Sequence, residues 1–98
     1  MDVLERFGEN LLRVRQARKL SQESLAELAG IQRTQITLIE RGRREPRVLT
    51  LLRLAGALEV DVSVLLEGVA WKPGGPGHPG EFVVSDPPEL PRLGTDRA

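Results

Sequence analysis

Arg33, Thr34, Thr37 and Arg41, with Gln35 beside them, share one side of a segment whose other side carries Ile31, Ile36 and Ile39. At helical spacing this is a polar edge backed by an apolar anchor. An arginine on such an edge can offer its fork to the O6 and N7 acceptors of guanine, and a threonine can meet a polar base edge or a thymine methyl. Arg33 is the foremost candidate for reading a base in a major groove. Gln22 and Gln32 stand at the starts of two successive helical segments, where a side-chain amide lies beside backbone N–H groups that suit phosphate oxygens. Together with Gln35 they are expected to orient the chain on a nucleic-acid backbone rather than to discriminate sequence. Arg41, Arg43 and Arg44 follow at once and can neutralise flanking phosphates, so affinity is expected to fall with salt according to their number.

The elements that must carry these residues are legible as helices. Leu4, Phe7, Leu11, Leu12, Val14 and Ala17 recur at three and four residues, which predicts a first helix from Leu4 to about Arg18. Ser21 can cap a second, with Leu25, Ala26, Leu28 and Ala29 as its buried stripe and Gly30 as its end. A third runs from about Gln32 to Arg41, stopped by Gly42 and Pro46. Val48, Leu51, Leu52, Leu54, Ala55 and Leu58 give a fourth its wide apolar face, and Asp61 can cap a fifth that carries Val62, Leu65 and Leu66. The expected fold class is all-α: five helices over residues 1–68, no sheet among them, and a Pro/Gly-rich tail over 69–98. Within that tail Lys72-Pro73-Gly74-Gly75-Pro76-Gly77-His78-Pro79-Gly80 cannot sustain a helix, which favours a mobile segment. Trp71 and the β-forming run Glu81-Phe82-Val83-Val84-Ser85 keep open partial docking on the domain or on a partner.

Composition narrows the function classes. The chain has 98 residues, formal net charge zero and no cysteine, so a disulfide framework, a thiolate metal site and a Cys nucleophile are all absent. Charge is nonetheless segregated. Arg13, Arg15, Arg18 and Lys19 close the first helix, and Arg33, Arg41, Arg43, Arg44 and Arg47 outnumber Glu40 and Glu45 further on. That pattern fits a basic face on a neutral body. His78, alone in the Pro/Gly segment, lacks the neighbours that metal binding or proton transfer needs. An enzyme is not expected, nor any cofactor or metal. Met1-Asp2-Val3-Leu4-Glu5-Arg6 lacks the apolar core of a signal peptide, and no apolar run approaches the ~20 residues of a membrane span, so a cytoplasmic location is expected.

The run Ser21-Gln22-Glu23-Ser24-Leu25-Ala26-Glu27-Leu28-Ala29-Gly30-Ile31, followed by Ile36, Ile39-Glu40-Arg41-Gly42 and Pro46, resembles the Xre/Cro phage-repressor family over about Phe7 to Leu66. In a helix-turn-helix, here 22–41, the crossing residue must be small and the turn tight, demands that Ala26 and Gly30 meet. The resemblance implies a lambda-repressor-like domain that binds a partly palindromic operator in double-stranded DNA as a homodimer. Base contacts would come from Arg33, Thr34, Thr37 and Leu38, and Glu40 would pair with Arg15 to tie the reading helix to the body. Gln32 departs from the family's usual Ser or Thr cap, and Leu38 stands where a polar residue is common. Leu38 can touch a thymine methyl or extend the core.

Apolar residues beyond what one short helix can bury inward, Val62, Val64, Leu65 and Leu66 with Val69 and Trp71 adjacent, are the expected dimer surface. Two reading helices would then lie about 34 Å apart. A repressor is the expected sort of regulator. Two alternatives accompany it: an antitoxin-like regulator whose tail, through Trp71 and Phe82-Val83-Val84, masks a protein partner, and a restriction-modification controller, whose reading helix Arg33-Thr34 with Ile36 and Ile39-Glu40-Arg41 also resembles.

Overall fold

A computed structural model of the chain describes residues 1–85. The part of the expected tail that spans 86–98 lies outside the described residues. Five helices come first, α1 (Val3–Ala17), α2 (Gln22–Ala29), α3 (Arg33–Glu40), α4 (Val48–Leu58) and α5 (Val62–Leu65), and two strands follow, β1 (Val69–Lys72) and β2 (Glu81–Val84). The five-helix class expected from the apolar spacing is the one found.

Each helix begins where the sequence can satisfy free N–H groups, with two exceptions. Asp2 and Glu5 form a reciprocal capping box on α1, the Glu5 N–H donating to Asp2 Oδ1 at 2.8 Å and the Asp2 N–H to Glu5 Oε1 at 2.9 Å. Ser21 Oγ accepts from the Ser24 N–H at 3.0 Å, and Asp61 Oδ1 from the Ser63 N–H at 2.9 Å. Gln32 and Arg47 cap α3 and α4 without a side-chain bond. Gly30 ends α2 in the left-handed conformation (φ 71°), so the chain reverses into α3 within three residues.

The core is formed by Leu11, Leu25, Ile36, Ile39, Leu54, Leu58 and Leu65, each at most 1% exposed. It is narrower than the apolar pattern implied. On α2 the buried arc is Leu25, Ala26 and Ala29, and Leu28 lies one step outside it, exposed. On α4 the buried residues are Leu54, Ala55 and Leu58, while Val48 and Leu52, expected inside, face out along with Leu49. Among the described residues no element covers those positions.

Leu65 does not belong to an outer surface. It is fully buried, and Val62 and Val64 pack half-buried against the same core, so α5 spends most of its apolar side inward. Of the six residues expected at a dimer face, Leu66 and Trp71 remain exposed and Val69 is half-buried.

Beyond Gly68, where a mobile segment was favoured, the chain forms an antiparallel hairpin with Val69 opposite Val84, Ala70 opposite Val83, Trp71 opposite Phe82 and Lys72 opposite Glu81. The Pro/Gly run is its turn. Gly75 and His78 exchange backbone hydrogen bonds at 2.8 and 2.9 Å, and Gly77 supplies the positive φ (71°). A lone two-stranded hairpin is marginal in water, and this one is held by α1. Buried Arg6 donates from Nη1 to the Ser85 carbonyl at 2.8 Å, and buried Asn10 donates from Nδ2 to the carbonyls of Leu65 (3.0 Å) and Glu67 (2.8 Å).

Gly8 sets the spacing of α1 from α3: a Cβ there would lie 2.5 Å from the Ile39 carbonyl oxygen and 2.6 Å from that of Glu40. Both are backbone atoms and cannot step aside cheaply. Gly8→Ala is therefore expected to lower unfolding free energy by about 2 kcal/mol or more, whereas Gly56→Ala in α4, where a Cβ meets nothing within 4 Å, should raise it by about 0.5–1 kcal/mol. Denaturant titration of the two variants checks both signs; a neutral Gly8→Ala would refute the close approach.

Candidate nucleic-acid interface

Helix α3 is amphipathic. Ile36 and Ile39 are fully buried, while Arg33, Thr34 and Arg41 are exposed and Gln35, Thr37 and Leu38 are half-buried on its outer sides. Ile31, just before it, packs against the core. The structure thus gathers the four proposed base-reading positions on one accessible edge. Leu38 is half-buried and lies outside the set of residues packed against the core.

What holds that edge in place is a chain of polar contacts running inward from it. Arg15 on α1 grips Glu40 with two bonds, Nε to Oε2 at 2.6 Å and Nη2 to Oε1 at 3.1 Å, and its third nitrogen donates to the Leu20 carbonyl at 2.9 Å. The two side chains are only 12% and 5% exposed, so the pair is shielded from solvent. Gln22 donates from Nε2 to Glu40 Oε1 at 2.9 Å, and Thr37 donates from Oγ1 to Gln22 Oε1 at 3.0 Å. Three helices are tied at one point.

Gln22 was expected as a backbone-orienting amide. Its carbonyl and one N–H are already engaged within the protein, which leaves its second N–H for an outside acceptor. Gln32 is exposed at the start of α3 and Gln35 half-buried a turn later. Past the helix, the backbone N–H groups of Arg41, Gly42 and Arg43 donate to the carbonyls of Thr37, Ile39 and Leu38, and Gly42 takes the left-handed φ of 72°. That closed turn fixes the path of Arg41, Arg43 and Arg44, all exposed, with exposed Arg47 following.

The earlier basic cluster has another job. Arg15 is committed to Glu40, Arg13 lies 3.6 Å from Glu67, and Arg18 donates to the Leu58 and Glu59 carbonyls at 2.8 and 3.1 Å, closing the C-terminal end of α4. Arg53 does the same for α2 through the Gly30 carbonyl at 3.2 Å. The basic face therefore narrows to Arg33 and the Arg41–Arg47 turn. Sequence reading missed Arg53 and the Gln22–Thr37 bond, since both join residues 15 or more apart; only the Glu40–Arg15 pair had a family signal.

Among the described residues no three His, Asp or Glu side chains converge on a point where a metal could sit, and no helix is long and apolar enough to cross a membrane.

Two short helices crossing at a tight glycine turn, the second with its outer edge free, define a helix-turn-helix protein. The helix-turn-helix family pattern matches residues 11–65, more than half the chain, and the chain belongs to that family. It is 44% identical over 66 residues to the control protein C.SmaI of Serratia marcescens, covering 67% of this chain and 79% of that protein. It is 40% identical over 62 residues to the HTH-type transcriptional regulator YqaE of Bacillus subtilis, covering 63% of this chain and 53% of the regulator, so the chain spans about half that relative's length. Among solved structures, the restriction-modification controller protein C.AhdI of Aeromonas hydrophila superposes with a TM-score of 0.62 at 40% identity, over 63% of this chain and 94% of that one.

Removal of the Glu40 carboxylate leaves the Arg15 charge shielded and unpaired. Glu40→Ala is expected to cost about 3 kcal/mol of stability, measured by thermal or denaturant unfolding. A loss below about 0.5 kcal/mol would mean that solvent, not Glu40, balances Arg15.

Proposed function

We propose that this chain is a sequence-specific DNA-binding transcriptional regulator, a repressor, that lays α3 in the major groove of a partly palindromic operator and acts as a homodimer. The observation that carries this reading is the orientation of α3, with Ile36 and Ile39 fully buried and Arg33 and Thr34 exposed at its leading end. Arg33, Thr34, Thr37 and Leu38 face the bases; Gln22, Gln32, Gln35, Arg41, Arg43 and Arg44 face the sugar-phosphate backbone. Selection of bound sequences from a random DNA pool should return a two-fold symmetric motif. Arg33→Ala should weaken binding to that motif by about 1–3 kcal/mol and relax preference at one base pair per half-site. An even loss over all sequences would make Arg33 a phosphate contact instead.

Among regulators, the restriction-modification controller reading has specific support in the relatives named control and controller proteins, one of them matched over 94% of its length. A restriction endonuclease and methyltransferase gene pair beside this chain's gene would support it, and regulation of that pair would test it.

For the homodimer, the surface the geometry favours is the apolar groove between α1, α4 and the hairpin, lined by Leu4, Leu51, Leu66, Trp71 and Phe82. Trp71 and Phe82 are 55% and 61% exposed although they touch edge to face, ring centres 4.9 Å apart. Aromatic rings paired in the open are unusual unless a partner covers them. Val83 and Val84 are half-buried, so an antitoxin-like capture surface would rest on the same two rings. Sedimentation should show a dimer at micromolar concentration and a monomer for Trp71→Ser; a monomeric parent chain, with and without DNA, would refute the arrangement.

A further inference from the structure

The hydrogen-bond chain behind α3 has a direction, and the direction reaches the reading edge. Glu40, held bidentately by Arg15, has only acceptor oxygens to offer. The Gln22 amide beside it must therefore turn its N–H side to Glu40, as the 2.9 Å contact shows, and its oxygen to Thr37. Thr37 has a single hydroxyl proton. Its two protein neighbours are both acceptors: Gln22 Oε1 at 3.0 Å is the nearer and holds the proton, and the Arg33 carbonyl at 3.3 Å is a longer, weaker alternative. What Thr37 shows to the outside is lone pairs.

We propose that Gln22 sets the polarity of Thr37, making its hydroxyl an acceptor-only contact that selects an exocyclic amino group, adenine N6 or cytosine N4, in the major groove. This rests on the DNA-reading role of α3 proposed above and adds to it which base edge the position takes. Guanine N7 and O6 and thymine O4 are acceptors and would face lone pair to lone pair; phosphate oxygens would too. Thr37 is thereby a specificity residue and Gln22 a positioning residue acting through it.

The test uses the full chain and the motif selected for it. In binding titrations, replacing the adenine or cytosine that Thr37 addresses by the same base without its amino group (purine, or 2-pyrimidinone) should cost the parent chain about five-fold to ten-fold. Thr37→Val, close in shape and without the hydroxyl, should lose preference at that one position and be indifferent to the amino deletion. Thr37→Ser should keep both. Gln22→Met, which removes the amide while leaving the Arg15–Glu40 pair, should reduce the discrimination at that position and no other, beside an even loss at all sequences from its backbone contact. Four results would overturn the inference: guanine or thymine selected at the position Thr37→Val changes, an even loss across all sequences on Thr37→Val, equal sensitivity of Thr37→Val and the parent to the missing amino group, or undiminished discrimination by Gln22→Met. Failure of the chain to select any motif would be a different result, since it removes the DNA-reading role itself.

Discussion

The outer edge of α3 is only as well placed as its inner side is fixed, and that fixing comes from α1. Gly8 lets the two helix backbones approach until there is no room for a Cβ, and Arg15 then closes a shielded ion pair on Glu40 at the last turn of α3. One contact is steric and the other electrostatic. Together they fix the distance and the rotation of α3, and everything exposed on its far side inherits that precision. Ile36 and Ile39 provide the burial energy, but apolar burial alone is tolerant of small rotations.

The zero net charge becomes intelligible from the same geometry. Four arginines do internal work: Arg6 anchors the hairpin end, Arg15 meets Glu40, and Arg18 and Arg53 cover carbonyls at the ends of α4 and α2. Carbonyl groups at a helix end carry partial negative charge, so a guanidinium supplied by another helix both caps and cross-links. What remains in solvent along the α3–α4 turn is a short basic stripe. A protein can thus be neutral as a whole and still present a cationic edge to a polyanion.

The hairpin extends the helical domain along α1. Its strands are short and its turn rich in Pro and Gly, features that read as disorder until the partner strand is seen. Arg6 and Asn10, polar residues buried inside an otherwise apolar helix face, fix its two ends: Arg6 ends on the carbonyl of Ser85 just past β2, and Asn10 on those of Leu65 and Glu67, where α5 gives way to the hairpin. Buried polar groups need partners, and these find theirs at the end of α5 and in the segment that follows it.

Helix positions, the αL stop at Gly30, the crossing at Ala26 and the polar edge of α3 were all legible in the order of residues, because each depends on neighbours three or four positions away. Local periodicity, caps and turn chemistry are properties of a short window. The fate of Leu28, Val48, Leu52 and Leu65 was not, since a stripe of leucines says that a face is apolar and not how wide a core will receive it. Nor was the pairing of Val69–Lys72 with Glu81–Val84, nor the meeting of Gln22 with Thr37. Those are contacts between residues separated by a turn or by most of the domain, and only when the helices have packed does it become definite which side chain an arginine, an amide or a tryptophan will find.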